Sequence, residues 1–209
     1  MKITGFRALT TIHEWGRPVG DANGVFADGV VAVPIVLVDT DEGITGLGET
    51  YGDLAHLEQV RAAAARLPGL DVYALHRIYR RVADVVGANI VTDMHGLTGS
   101  SSRVKTVDRV FAAFEVACLD IQGKAAGRPV ADLLGGKVRD AVPYSAYLFY
   151  KWAGHPGKPE DRFGPALDPD GIVAQARLLI GEYGFRSIKL KGGVFPRSEE
   201  HTSELQSLT

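Results

Sequence analysis

Near its end the chain carries SIKLKGG, residues 187–193. On a strand, Ser187, Lys189 and Lys191 point to one side, and Ile188 and Leu190 point to the other. Two ammonium groups sharing a face disfavour each other's charge, which suits a lysine general base. Gly192 and Gly193 leave room for a substrate or loop to approach closely. Two other readings stay open. A Lys-x-Lys pair on an exposed edge strand guards against unwanted strand pairing. A Schiff-base lysine is the third, although nothing singles out one lysine for it.

The elements around this stretch must position it. The spacing predicts a strand over 185–191, preceded by a helix over 169–182. Asp168-Pro169 supplies a cap and a proline at the first helical position, and Gly184 ends the helix. Ile172, Val173, Ala176, Leu179 and Ile180 form its apolar stripe. Residues 141–150, AVPYSAYLFY, read as another strand, and 151–167 as a Pro/Gly-rich loop. The result is a strand–helix–strand unit with a crossover long enough for parallel pairing. Ile188 and Leu190 then belong under the helix, and the lysines face the opposite side.

Residues 1–140 read differently. An opening strand at 2–13 is followed by a loop over 14–29. A hairpin covers 30–50, with Pro34 arguing for an edge strand or a bulge. Helical patterns cover 55–67 and 71–86, the second with Asp71 as its cap. The clearest helix is 106–126, with Val107, Val110, Phe111, Phe114, Cys118 and Ile121 on one face. Cys118 is therefore expected as a packed thiol. Glu49 and Asp53 are expected as structural or loop residues, not as an acid–base pair. A short helix, PVADLLGG, closes this part. Residues 1–140 thus read as an α+β domain with a three-stranded antiparallel meander and helices. Residues 141–193 read as the start of an α/β domain, whose two strands and one helix cannot bury their own faces. A complete barrel takes about 250 residues.

These residues carry a resemblance. GLGETYGD at 46–53, residues 105–140, YSAYLFYK at 144–151 and YGFRSIKLKGG at 183–193 resemble the enolase superfamily. Within it they resemble the glucarate dehydratases. The resemblance implies an α+β capping domain over 1–140, followed by the first β-α-β of a truncated (β/α) barrel over 141–196. The resemblance implies a Mg2+-assisted loss of water from D-glucarate, giving 5-dehydro-4-deoxy-D-glucarate. It implies Lys191 as the general base and Lys189 as its neighbour at the substrate carboxylate. Tyr147 and Phe149 match positions near the bound sugar. His13 and Asn23 flank a loop resembling the lid over the barrel mouth. Ser100, Ser101 and Ser102 lie in a second capping loop, and Ser102 stands for the one expected to bind substrate.

The resemblance also marks what this sequence lacks. The family's metal ligands come from the three barrel strands after the Lys-x-Lys strand. Its second base, a histidine paired with an aspartate, lies later still. No metal ligands are expected here, and Glu115, Asp120 and Asp132 are helical residues of the capping part. The 209-residue chain itself is expected to be inactive. RSEEHTSELQS, from Arg197, can be encoded by a common sequencing adapter, so 197–209 is expected to be a non-native tail. His201 and Glu204 then carry no meaning. A frameshift or a short natural tail is the alternative.

Composition narrows the rest. A net charge of -2 gives no reason to expect a nucleic-acid surface, and one cysteine allows no internal disulfide. No apolar run reaches the roughly 18 residues of a membrane span. The resemblance implies a small-molecule aldarate as the partner; no nucleic acid and no membrane are expected, and the expected compartment is the cytoplasm. The resemblance implies that the intact enzyme can form a homo-oligomer. Dehydration of another aldarate, such as galactarate, is the alternative activity. A non-catalytic capping-domain module is the alternative role.

Overall fold

The computed structural model describes residues 1–14, 20–21, 24–25, 30–87, 102–153, 160 and 163–191. The chain divides into two compact units: 1–13 with 32–138, and 14–31 with 139–209.

In the first unit, β1 (Ile3–Glu14), β4 (Val30–Thr40) and β5 (Thr45–Glu49) form a three-stranded antiparallel sheet in the order β1-β4-β5. Two short strands that belong to the second unit, β2 (Gly20–Asp21) and β3 (Gly24–Val25), pair antiparallel within the stretch expected to be all loop. β4 is the central strand, which corrects the edge or bulge expected from Pro34. The physical reason is its place in the ladder. Ile35 pairs with Glu49, the last residue of β5, and Pro34 lies one step further on. Its missing N–H therefore falls where β5 has ended, while its carbonyl still accepts from the Thr50 N–H at 3.0 Å.

Among the described residues, three longer helices and one short helix complete this unit. α1 (Leu54–Ala64) starts on Asp53, whose Oδ1 accepts from the N–H groups of Ala55 and His56. Asp53 is thus a helix cap. α2 (Leu75–Val86) begins later than expected, with Ala74 at its cap. Asp71 instead accepts from the Tyr73 N–H at 3.0 Å and pairs with Lys2 at 3.4 Å. The bridge from Lys2 to Asp71 draws the chain to the sheet before the helix can start. α3 (Arg103–Ala126) is capped by Ser102, and the short α4 (Val130–Leu133) follows. Arg103 donates to the carbonyls of Gly87 and Ala83, tying the start of α3 to the end of α2.

The face expected on α3 is the core. Val107, Val110, Phe114, Cys118 and Ile121 are buried with Ile3, Val36, Val38, Ile78 and Val82, and Phe111 packs at the margin. Burial pushes the Cys118 thiol up to about 12, so it remains protonated and inert. Asp120 accepts from the Leu47 N–H at 2.9 Å and from Lys124 Nζ at 2.6 Å. It holds β5 on α3.

His56 is the unusual member of this unit. It is 1% exposed, and its Nε2 lies 2.6 Å from Thr50 Oγ1. Among the described residues its buried Nδ1 has no hydrogen-bond partner. Burial first, and then the charge of Arg109, lower its pKa from 6.5 to about 4, against an opposing pull from Asp53. The unfolded chain therefore binds a proton that the folded chain refuses. Stability is complete above pH 6.5 and falls as pH drops from 6.5 towards 4, by about 3 kcal/mol in all. Urea unfolding of the wild type and of His56→Gln at pH 7.5 and 4.5 should show a smaller acid loss in the variant. Equal losses would overturn this assignment.

In the second unit, β6 (Ala146–Phe149) and β7 (Ile188–Lys191) pair parallel, joined through α5 (Pro169–Tyr183). This β-α-β unit begins the barrel-like part. Asp168 Oδ1 accepts from the Gly171 N–H at 2.7 Å, Pro169 opens the helix, and Gly184 closes it at φ +67°. Leu148, Tyr150, Ile172 and Ala176 form a small core, with Leu179, Ile188 and Leu190 against it. The first strand is shorter than expected. Residues 141–145 are exposed and unpaired as strand, because β7 offers partners only from Ile188 onward.

Candidate functional site

The face of β6–β7 turned away from α5 gathers four of the expected residues. In the parallel register Tyr147 lies beside Lys189, and Phe149 beside Lys191. Strand parity explains the arrangement: Leu148, Ile188 and Leu190 pack under α5, so their neighbours emerge on the other side. Lys189 is exposed and Lys191 half-buried. Lys189 Nζ sits 4.5 Å from the centre of the Tyr147 ring. The Tyr147 and Phe149 rings are 4.4 Å apart and inclined at 42°. At the start of the strands, the hydroxyls of Ser145 and Ser187 are 2.6 Å apart.

Lys151 is a residue the sequence reading missed. It follows β6 with the same parity as Tyr147 and Phe149, and only 1% of it is exposed. Its backbone exchanges both hydrogen bonds with Ala166, at 2.9 and 2.8 Å. This bridge pulls it inward, and its Nζ lies 6.0 Å from the Phe163 ring centre. A buried lysine is uncommon. The only sequence signal was its position at the end of YLFYK, which says nothing about the returning Ala166.

The remaining expected residues stand as follows. Ser102 belongs to the first unit, and its Oγ accepts from the Lys105 N–H at 3.2 Å. It serves there as the cap of α3. His13 is described as backbone within β1, and its side chain lies outside the described residues. Asn23, Ser100, Ser101, Gly192, Gly193 and the tail 197–209 also lie outside them. Among the described residues, no three His, Cys, Asp or Glu side chains group so as to hold a metal ion. The four residues of the β6–β7 face offer two amines and two aromatic rings, not the carboxylate oxygens that suit Mg2+. They can bind an anion with two ammonium groups, and an unprotonated lysine there can take a proton. Among the described residues, no helix is long and apolar enough to cross a membrane.

Comparison with known proteins agrees with this fold. Residues 15–135 match the mandelate racemase / muconate lactonizing enzyme, N-terminal domain. The chain is 53% identical over 173 residues to a probable glucarate dehydratase of Streptomyces coelicolor, covering 79% of this chain and 40% of that protein. It is 84% identical to an enolase from Thermobispora bispora whose crystal structure holds magnesium and formate. That match has a TM-score of 0.89 and covers 96% of this chain and 47% of the other. An enolase from Mycobacterium smegmatis complexed with tartrate is 51% identical, with a TM-score of 0.83, over 95% of this chain and 46% of the other. The chain thus spans less than half the length of these relatives. With the family domain matched over more than half of its residues, the chain belongs to the mandelate racemase / muconate lactonizing enzyme family of the enolase superfamily.

Proposed function

We propose that the enzyme to which these residues belong dehydrates D-glucarate to 5-dehydro-4-deoxy-D-glucarate. One observation carries the reading: Lys189 and Lys191 share a face with Tyr147 and Phe149, in a chain similar to a probable glucarate dehydratase. Lys191 takes the proton from the carbon beside a carboxylate. The electrons of that C–H bond form a C=C bond, and the neighbouring C–O bond breaks. The departing hydroxyl and the proton that Lys191 removed together make up the water released, and the enol relaxes to the ketone. Charge builds on the carboxylate oxygens as the proton departs, and the Lys189 ammonium beside them offsets it.

Magnesium is the proposed metal of the whole enzyme, supported by the magnesium-bound Thermobispora bispora relative. When bound, it would stabilise negative charge on the carboxylate. Residues 1–140 are proposed as the capping domain, 141–196 as the start of the barrel and 197–209 as a non-native tail. His13, Asn23 and Ser102 are proposed as substrate-side residues of the capping domain. The enzyme is proposed to act in the cytoplasm, as a homo-oligomer.

The test completes the barrel. Residues 1–193 are joined to the remainder of the Thermobispora bispora protein, and ketone formation is followed with D-glucarate, galactarate and tartrate. Turnover of D-glucarate above the other two is expected. Preference for galactarate would move the assignment to that aldarate. A folded chimera that dehydrates none of the three would overturn the dehydratase reading.

A further inference from the structure

The parallel register sets Tyr147 directly beside Lys189, on the face of the sheet that α5 does not cover. The ammonium lies over the ring, 4.5 Å from its centre. This is well inside the distance at which the negative face of an aromatic ring attracts a cation. The ring is itself steadied by Phe149, 4.4 Å away on the same strand. A lysine carries four rotatable side-chain bonds, so an unrestrained ammonium would sample many positions. A ring face at 4.5 Å favours those that keep the ammonium over it.

We propose that Tyr147 is a positioning residue for Lys189: the face of its ring holds the ammonium on the β6–β7 surface, beside Lys191. Tyr147 then acts through Lys189 and need not touch a substrate. What counts is the aromatic face, and the phenol hydroxyl is dispensable. Tyr147 is 38% exposed, so replacing it does not open the small core under α5. The importance of the contact rests on the reading of Lys189 and Lys191 as the working pair, but its existence can be measured without turnover.

The experiment uses the 209-residue chain with its lysines reductively methylated with 13C-formaldehyde. The methyl signals are read by NMR, and the Lys189 signal is assigned from its loss in Lys189→Arg. In the wild type that signal should be shifted upfield of the exposed lysines by the ring current of Tyr147. Tyr147→Phe should keep the shift. Tyr147→Leu and Tyr147→Gln should both return the signal to the position of the exposed lysines. An unshifted Lys189 signal in the wild type overturns the proposal. So does a shift that survives in a folded Tyr147→Leu or Tyr147→Gln chain, or one that is lost in a folded Tyr147→Phe chain. Failure of the glucarate assay would leave these signals unchanged, and an unshifted Lys189 signal in the wild type would leave the turnover of the unsubstituted chimera unchanged, so the two readings fail separately.

Discussion

Replacing Gly48 with alanine should destabilise the first unit by about 3 kcal/mol or more, a large effect for one methyl group. A Cβ at Gly48 would stand 2.1 Å from the carbonyl oxygen of Ala113. At Gly46, two residues earlier on the same face, it would stand 2.1 Å from the carbonyl oxygen of Ala117 and 2.6 Å from Ile121 Cγ1. Both glycines are buried, and Ala113 and Ala117 are one turn apart on α3. β5 thus lies directly on the helix backbone. No side-chain rotation relieves the contact at Gly48, because the atom met at 2.1 Å is a main-chain oxygen. The helix must move away, and Phe114, Cys118 and Ile121 leave the core with it. Hydrogen exchange of the α3 amides and thermal unfolding by circular dichroism would measure the loss. Leu47→Ala, on the exposed side of the same strand, serves as the control and should cost far less. A Gly48→Ala chain as stable as the wild type would show that the two elements can separate freely.

The second large effect belongs to the completed enzyme. Lys191→Met should lower kcat by about 1000-fold, in the range lost when a positioned general base is removed. Methionine keeps the length and the apolar stem but cannot accept the proton. The strand should survive, since Ile188 and Leu190 supply its packing beneath α5. Lys189→Met should affect KM as well as kcat, because an ammonium beside the carboxylate acts before and during proton removal. Steady-state kinetics on the barrel-completed chimera would separate the two. If Lys191→Met retained most of the activity, Lys191 could not be the base.

Much of the second unit was legible as sequence because its signals are local. Asp168, Pro169 and Gly184 lie within a turn of the helix ends they control, so the bounds of α5 followed from residue types. The alternation in SIKLK separated Ile188 and Leu190 from Lys189 and Lys191, since parity along a strand needs no knowledge of the partner. The apolar face of α3 was visible for the same reason. The roles of Lys189 and Lys191 came from resemblance to a family, and spacing alone left three readings open.

Where a residue's role depends on a distant segment, local rules failed. Asp71 has the makings of a cap, but Lys2 claims it from the far end of the chain. Pro34 has the makings of an edge residue, but β4 is central and the proline falls where β5 has ended. The small size of Gly46 and Gly48 acquires its meaning from α3, more than sixty residues later. His56 was unremarkable on an α-helix until burial lowered its pKa, and Lys151 until Ala166 drew it inward. The contact of Lys189 with Tyr147 joins strands separated by a whole helix. The sequence by itself thus determined caps, parity and amphipathic faces, which depend on neighbours a few residues away. Tertiary structure decided strand order, burial and the meeting of side chains, because these depend on which distant surfaces the chain brings together.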